Sequence, residues 1–179
     1  MNGNDRSDQD LLDATRRGDR SAFGVLYERH RAFVWRTALR MSSGNETLAL
    51  DVSQEVFAWL LGRCRRRLTL TSLLTTFLYP AIKNIMLSML DRDRRIATGI
   101  DLPDQTAPPQ AGTDHEAIEH VLASLGDGHR EVVMLRFMES MSVLEIAAAM
   151  DIPVGTVKSR MHHALAALRD DPTTKSLLD

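Results

Sequence analysis

Cysteine is nearly absent from this 179-residue sequence, where Cys64 stands alone. That excludes an internal disulfide and a cysteine-cluster metal site, and it fits a reducing cytoplasm. Aromatic residues make up only 5%, with 10 glycines and 6 prolines. So few of each argue against an all-β sandwich or barrel, and against a disordered chain. No run of about 18 uninterrupted apolar residues occurs, so no membrane span is expected. The first residues, Met1 to Arg6, are polar and include an acid, which is not a signal-peptide pattern. What remains is 44% hydrophobic and 26% charged, an ordinary globular composition.

An excess of one charge is missing too. Lys and Arg number 22 against 24 Asp and Glu, a formal net charge of −2. Taken alone, that sum predicts neither nucleic-acid nor membrane binding. The distribution says more. Arg63, Arg65, Arg66 and Arg67 form one basic cluster, and Arg92, Arg94 and Arg95 another. From Gly155 to Arg169 there is no acid, but there are Lys158, Arg160, His162, His163 and Arg169. Acids gather elsewhere, at Asp101, Asp104, Asp114, Glu116 and Glu119. Segregated charge supports local phosphate contacts without a basic protein overall.

The pattern predicts an all-α chain: two small helical domains joined by an irregular linker, the second containing a helix-turn-helix. The boundaries expected are 1–96, a linker over 97–116 with Pro103, Pro108 and Pro109, and 117–179. In the first half, Asp10 to Arg17 reads as a helix stopped by Gly18, with Ser21 as the next N-cap. Phe23, Leu26, Tyr27, His30, Val34, Ala38 and Met41 then form one stripe. A third helix starts near Asn45, burying Leu48, Val52, Val56, Trp59 and Leu60. Asp51, Gln54 and Glu55 share an adjoining face. Ile82, Ile85, Met86 and Met89 mark a fourth helix that either begins near Pro80 or kinks there.

In the second half, Ile118, Val121, Leu122 and Leu125 form a stripe ending at Gly126. Ser142 and Glu145 have the spacing of a capping box. Ile146, Ala147 and Met150 carry that helix inward, and the small Ala147 and Ala148 allow close helix approach. After the turn Asp151-Ile152-Pro153, an apolar stripe runs through Val154, Val157, Met161, Ala164, Leu165 and Leu168. Its opposite face shows Thr156, Ser159, His162 and His163, flanked by Lys158 and Arg160. A capped helix, a short turn and a second helix with hydrogen-bonding groups is a helix-turn-helix, whose second helix a DNA major groove admits.

The segment His129 to Arg169 resembles the carboxy-terminal DNA-binding domain of the sigma-70 family, in its extracytoplasmic-function (group IV) branch. The dense matches are Arg130-Glu131-Val132, Glu145-Ile146-Ala147 and Pro153 to Arg160. In the first half, Asp51 to Phe57 is similar to that family's polymerase-binding helix. Phe77-Leu78-Tyr79 with Lys83-Asn84 is similar to its promoter-melting and minus-10 segment.

The resemblance implies a dissociable subunit of bacterial RNA polymerase, cytoplasmic and not an enzyme, that directs promoter-specific initiation. Core RNA polymerase and promoter DNA are then the partners, and the family also suggests an anti-sigma protein. Asp51, Gln54 and Glu55 would face the polymerase clamp. In the loop Arg67 to Ser72, where the family captures a flipped base, Arg67, Thr69, Thr71 and Ser72 would meet minus-10 DNA. Phe77, Lys83 and Asn84 would meet it too. Thr156, Lys158, Ser159, His162 and His163 would face the minus-35 major groove, with Arg160 nearer phosphate. The family usually has Trp at Phe77, Arg at Pro80 and Pro at Gly126, often Gly at Asp151, and commonly Arg at His163.

Plainer readings stand beside these. The Asp51 face also fits a solvated helix side, and the arginines from Arg63 to Arg67 fit a helix C-terminus favoured by the macrodipole. Phe77 fits either core or a DNA-exposed wedge. His162-His163 lacks a third ligand for a metal. His30 reads as a satisfied boundary histidine, and Cys64 as a plain small side chain. No cofactor is expected: no nucleophile–base pair, phosphate-binding glycine loop or metal-ligand cluster is present. A stand-alone helix-turn-helix regulator and a sigma-like decoy or interaction module are the alternatives.

Overall fold

The computed structural model describes residues 6–97, Leu122 and residues 125–170. Every regular element among the described residues is a helix. These are α1 (Asp8–Arg16), α2 (Arg20–Met41), α3 (Glu46–Arg65), α4 (Leu74–Ala97), α5 (Asp127–Phe137), α6 (Val143–Met150) and α7 (Val154–Asp170). The chain divides into two units, Met1–Ala107 and Pro108–Asp179. The linker expected over 97–116 lies outside the described residues apart from Ala97, as do Ile118 and Val121.

Local chemistry sets the helix ends of the first unit. Ser7 caps α1, its hydroxyl accepting from the Asp10 N–H at 3.2 Å while the Asp10 carboxylate accepts from the Ser7 N–H at 3.3 Å. This reciprocal pair satisfies two amide donors that the first turn leaves open, so α1 starts before Asp10. The cap of α2 is Asp19, not the expected Ser21. Asp19 accepts from the Ala22 N–H at 3.1 Å and from the Ser21 hydroxyl at 2.6 Å. Gly18 turns the chain with φ +98, so Asp19 is already extended and Ser21 falls inside the helix. α3 starts beside Asn45 as the sequence predicts, and Asn45 is its cap, accepting from the Leu48 N–H at 3.0 Å.

α4 begins at Leu74, not near Pro80, and runs through the proline. Pro80 has no N–H, so the Thr76 carbonyl four residues earlier gets no helical partner. The Thr76 hydroxyl is buried and also has no hydrogen-bond partner among the described residues. Packing holds this turn instead: Leu74, Leu78 and Ile82 are fully buried beside Tyr79.

α2 is the central helix of the unit, packing against α1, α3 and α4. Leu11, Leu26, Val34, Val52, Leu60 and Leu78 fill the core with no exposed surface. Burying one such leucine contributes about 1.5–3 kcal/mol. The buried side of α2 also takes in Ala22, Phe33 and Thr37, whereas Tyr27 stays exposed and packs its ring on Phe57. α1 is also tied to α2 by charge. The buried His30 places Nε2 2.9 Å from one Asp8 oxygen, and Arg29 donates to the other at 2.5 Å. Burial alone would raise the Asp8 pKa. Hydrogen bonds and charge from His30 and Arg29 outweigh it, and the carboxyl is held below its ordinary value.

In the second unit, α7 packs against both α5 and α6. Leu125, Val133 and Ala164 are buried together, with Leu122 and Leu168 against them. The Arg130 guanidinium donates to the carbonyls of Leu122 at 2.9 Å and Leu125 at 3.1 Å, closing carbonyls just ahead of α5. The capping box predicted at Ser142 is present, with the Ser142 N–H donating to Glu145 at 2.7 Å and the Glu145 N–H to the Ser142 hydroxyl at 3.2 Å. Ile146, Ala147 and Ala149 turn inward. Ala148 faces solvent and takes no part in the close approach expected of it, because successive helix residues diverge by about 100°.

The turn between α6 and α7 depends on Asp151, whose backbone is left-handed at φ 53, ψ 48. Non-glycine residues adopt that conformation at a cost, which Asp bears better than most. Asp151→Gly is therefore expected to stabilise the unit by about 0.5–1 kcal/mol, and Asp151→Val to destabilise it by a similar amount or more. Thermal unfolding of the two variants beside the unaltered chain checks both signs.

Candidate nucleic-acid interface

Three separate surfaces carry the predicted residues. On α3, Asp51, Gln54 and Glu55 are all exposed, and their i, i+3, i+4 spacing puts them on one face. No hydrogen bond or ion pair engages their side chains among the described residues. Leu50 and Leu61, 49% and 36% exposed, flank this face on its Gln54 edge. An acidic face with uncovered leucines suits a protein partner better than a polyanion.

The second surface is the loop between α3 and α4 with the start of α4. Arg67, Thr69, Thr71 and Ser72 are exposed, while Leu68 and Leu70 turn half inward. The loop is not free to wander, because Gln9 on α1 reaches it. The Gln9 amide nitrogen donates to the Leu68 carbonyl at 3.1 Å, and its oxygen accepts from the Leu70 N–H at 2.8 Å. Further along α4, Lys83 and Asn84 are exposed on neighbouring faces. Phe77 is neither plain core nor an open wedge. It is half-buried and stacked on Trp59 at 5.2 Å and 26°, and Arg63 lies over the other partner's ring, 5.4 Å from the Trp59 centroid. Two rings and a guanidinium are thus grouped at this surface, aromatic and cationic groups of the kinds that single-stranded nucleic acid contacts.

The third surface is the outer side of α7. Lys158, Ser159, His162 and His163 are exposed, and Thr156 is half-buried at its base. Arg160 is half-buried, its guanidinium against Gly128 of α5: a Cβ added at Gly128 would stand 3.0 Å from the Arg160 Cζ. The bare glycine leaves room for it. His163 sits between two other imidazoles, 6.1 Å from His129 and 5.8 Å from His162 by ring centroid. Edge-on packing at these separations is not a ligand arrangement, and the described residues hold no group of His, Cys, Asp or Glu suited to a metal ion.

Cys64 lies outside all three surfaces. It is buried, and burial pushes its thiol up to about 11. The neighbouring arginines do not make it a reactive thiolate.

Sequence reasoning missed Gln9, Trp59 as a stacking partner, and Gly128. The first and third act across the fold on backbone or on a distant side chain, and no local spacing marks them. The Trp59–Phe77 pair was open to a reader, since two half-exposed aromatics on packed helices tend to meet.

Comparison with known proteins identifies the family. Residues 26–96 match the family model "Sigma-70 region 2", and residues 121–170 match "Sigma-70, region 4". The chain belongs to the sigma-70 family. Among its relatives is the ECF RNA polymerase sigma factor SigL of Mycobacterium tuberculosis, 32% identical over 159 residues, covering 81% of this chain and 85% of SigL. ECF RNA polymerase sigma factor SigW of Bacillus subtilis is 27% identical over 176 residues, covering 86% and 90%. The branch is thus the extracytoplasmic-function one, and the function is that of an RNA polymerase sigma factor. Sigma factors bind core polymerase and promoter DNA and are not themselves catalysts.

The fold recurs in solved structures. One is CnrH in complex with the cytosolic domain of CnrY, with TM-score 0.67 and 24% identity over 97% of this chain and 98% of CnrH. Another is the sigma factor RpoE of Bartonella quintana in complex with the anti-sigma factor NepR, with TM-score 0.63 and 22% identity over 83% and 94%. No helix among the described residues of this sigma factor is long and apolar enough to cross a membrane.

Proposed function

We propose that this sigma factor divides its work among the three surfaces. The α3 face of Asp51, Gln54 and Glu55 docks on the polymerase clamp. The loop residues Arg67, Thr69, Thr71 and Ser72 hold an unpaired minus-10 base, with Phe77, Lys83 and Asn84 along the opened strand. α7 enters the minus-35 major groove, where Thr156, Lys158, Ser159, His162 and His163 meet bases and Arg160 swings towards phosphate. Residues 1–96 form the polymerase and minus-10 domain, 117–179 the minus-35 domain, and 97–116 the connection. The site of action is the cytoplasm. An anti-sigma protein belongs to this reading as a regulator. A chain of this fold is held by one in the Bartonella quintana complex.

One observation carries the proposal. The chain presents an acidic, leucine-flanked face on α3 and a separate face on α7 with no acid from Gly155 to Arg169, with a net charge of only −2. Phosphate contacts supply most non-specific DNA affinity, so a near-neutral chain binds DNA weakly alone. It needs a larger partner to hold it at the promoter, and the α3 face provides the handle.

The test is promoter binding with and without core polymerase, followed by permanganate footprinting of the complex. Weak binding alone, specific binding with polymerase and unpaired thymines at minus-10 are expected. Tight, specific binding by the isolated chain favours the stand-alone regulator. A stable holoenzyme with no unpaired thymines on any promoter favours the decoy.

A further inference from the structure

We infer that Gln9 is a positioning residue for promoter opening, setting how the loop between α3 and α4 presents Thr69. The inference rests on the proposed minus-10 role of that loop.

Residues 67–70 belong to no helix, and Gln9 supplies hydrogen bonds to their backbone from across the fold. Gln9 bonds the Leu68 carbonyl and the Leu70 N–H, the two backbone groups on either side of Thr69. A side-chain amide is itself a peptide-like group, so it can donate to one backbone group and accept from another at once. The side chains of Leu68 and Leu70 turn half inward, and the Thr69 side chain between them is exposed. Asp13 fixes the polarity of the clamp. The Gln9 nitrogen lies 3.3 Å from the Asp13 carboxylate, so a flipped amide would set its oxygen against two acceptors and its nitrogen against a donor.

A loop held in its working shape before DNA arrives spends no affinity on ordering. Without Gln9 that ordering falls on the bound state, and capture of the unpaired base weakens. Polymerase docking through α3 and minus-35 reading through α7 do not involve the Gln9 contacts.

The experiment uses holoenzyme reconstituted from core polymerase and the full chain, on a promoter selected with the unaltered protein. The variants are Gln9→Met, which keeps length and helix preference but makes neither bond, Gln9→Ala, Thr69→Ala and the pair Gln9→Met/Thr69→Ala. Permanganate reports the opening rate, co-migration reports polymerase affinity, and amide hydrogen exchange in the free chain reports Leu70. Gln9→Met is expected to slow opening about tenfold, the worth of one to two net hydrogen bonds. It should speed exchange at Leu70, leave polymerase affinity within about twofold, and add little to Thr69→Ala. Normal opening by both Gln9 variants, with Thr69→Ala slow, overturns the inference and leaves the loop's DNA role standing. Normal opening by Thr69→Ala removes the loop's role and the inference with it. A loss of polymerase affinity equal to the loss of opening also overturns it, since Gln9 would then act on the fold as a whole.

Discussion

Asp51→Arg/Glu55→Arg is expected to lower polymerase affinity at least about a hundredfold and to abolish promoter-specific transcription, with the fold unchanged. Both residues are exposed on α3, and neither has an intramolecular partner among the described residues. Exposed substitutions of that kind usually alter stability by no more than about 0.5 kcal/mol. The effect therefore falls on the interface. Coupling across a close charge pair in a protein complex is worth about 1.5–7 kcal/mol, and reversing one side replaces attraction by repulsion. Two reversed charges exceed the roughly 2.7 kcal/mol that a hundredfold represents. Co-migration with core polymerase measures the loss, and thermal unfolding verifies the fold. Retained transcription by the double variant would show that α3 does not carry the polymerase contact.

Leu60→Ala is expected to produce the same functional loss by a different route. Leu60 has no exposed surface and sits on the buried side of the same helix. Truncating such a leucine costs about 2–5 kcal/mol, the lost transfer energy plus the cavity left behind. A domain near a hundred residues has only about 5–15 kcal/mol in total, so the thermal midpoint should fall by about 10 °C or more. Polymerase binding should fail when warm and return on cooling. The charge-reversed pair should fail at every temperature. Calorimetry with binding assays at two temperatures separates a misplaced charge from a softened core. A change of less than about 1 kcal/mol for Leu60→Ala would mean that the first unit closes around the gap.

Helix content and the helix-turn-helix were legible in the sequence because they depend on neighbouring residues. The start of α3 beside Asn45, the Ser142–Glu145 box and the buried Val157 and Ala164 of α7 each follow from spacings of three or four. Positions with two adequate local solutions were less legible. Asp19 and Ser21 are both good caps, and the turn at Gly18 chose between them. Pro80 suits a helix start on its own, yet the buried Leu74 and Leu78 extend the helix back past it. The candidate site divides the same way. Its exposed polar residues were visible as motifs, but Gln9 lies about sixty residues from the loop it holds. Only the packing of α1 beside that loop brings them together.

Cys64 sets a bound on how this sigma factor is informed of its surroundings. Its sulfur is sealed within the first helical unit and favours the protonated form at any physiological pH. Peroxide or disulfide stress has no direct chemical entry at this thiol. An oxidative alarm read through a cysteine would have to be received by another molecule and relayed as a change in who holds the chain.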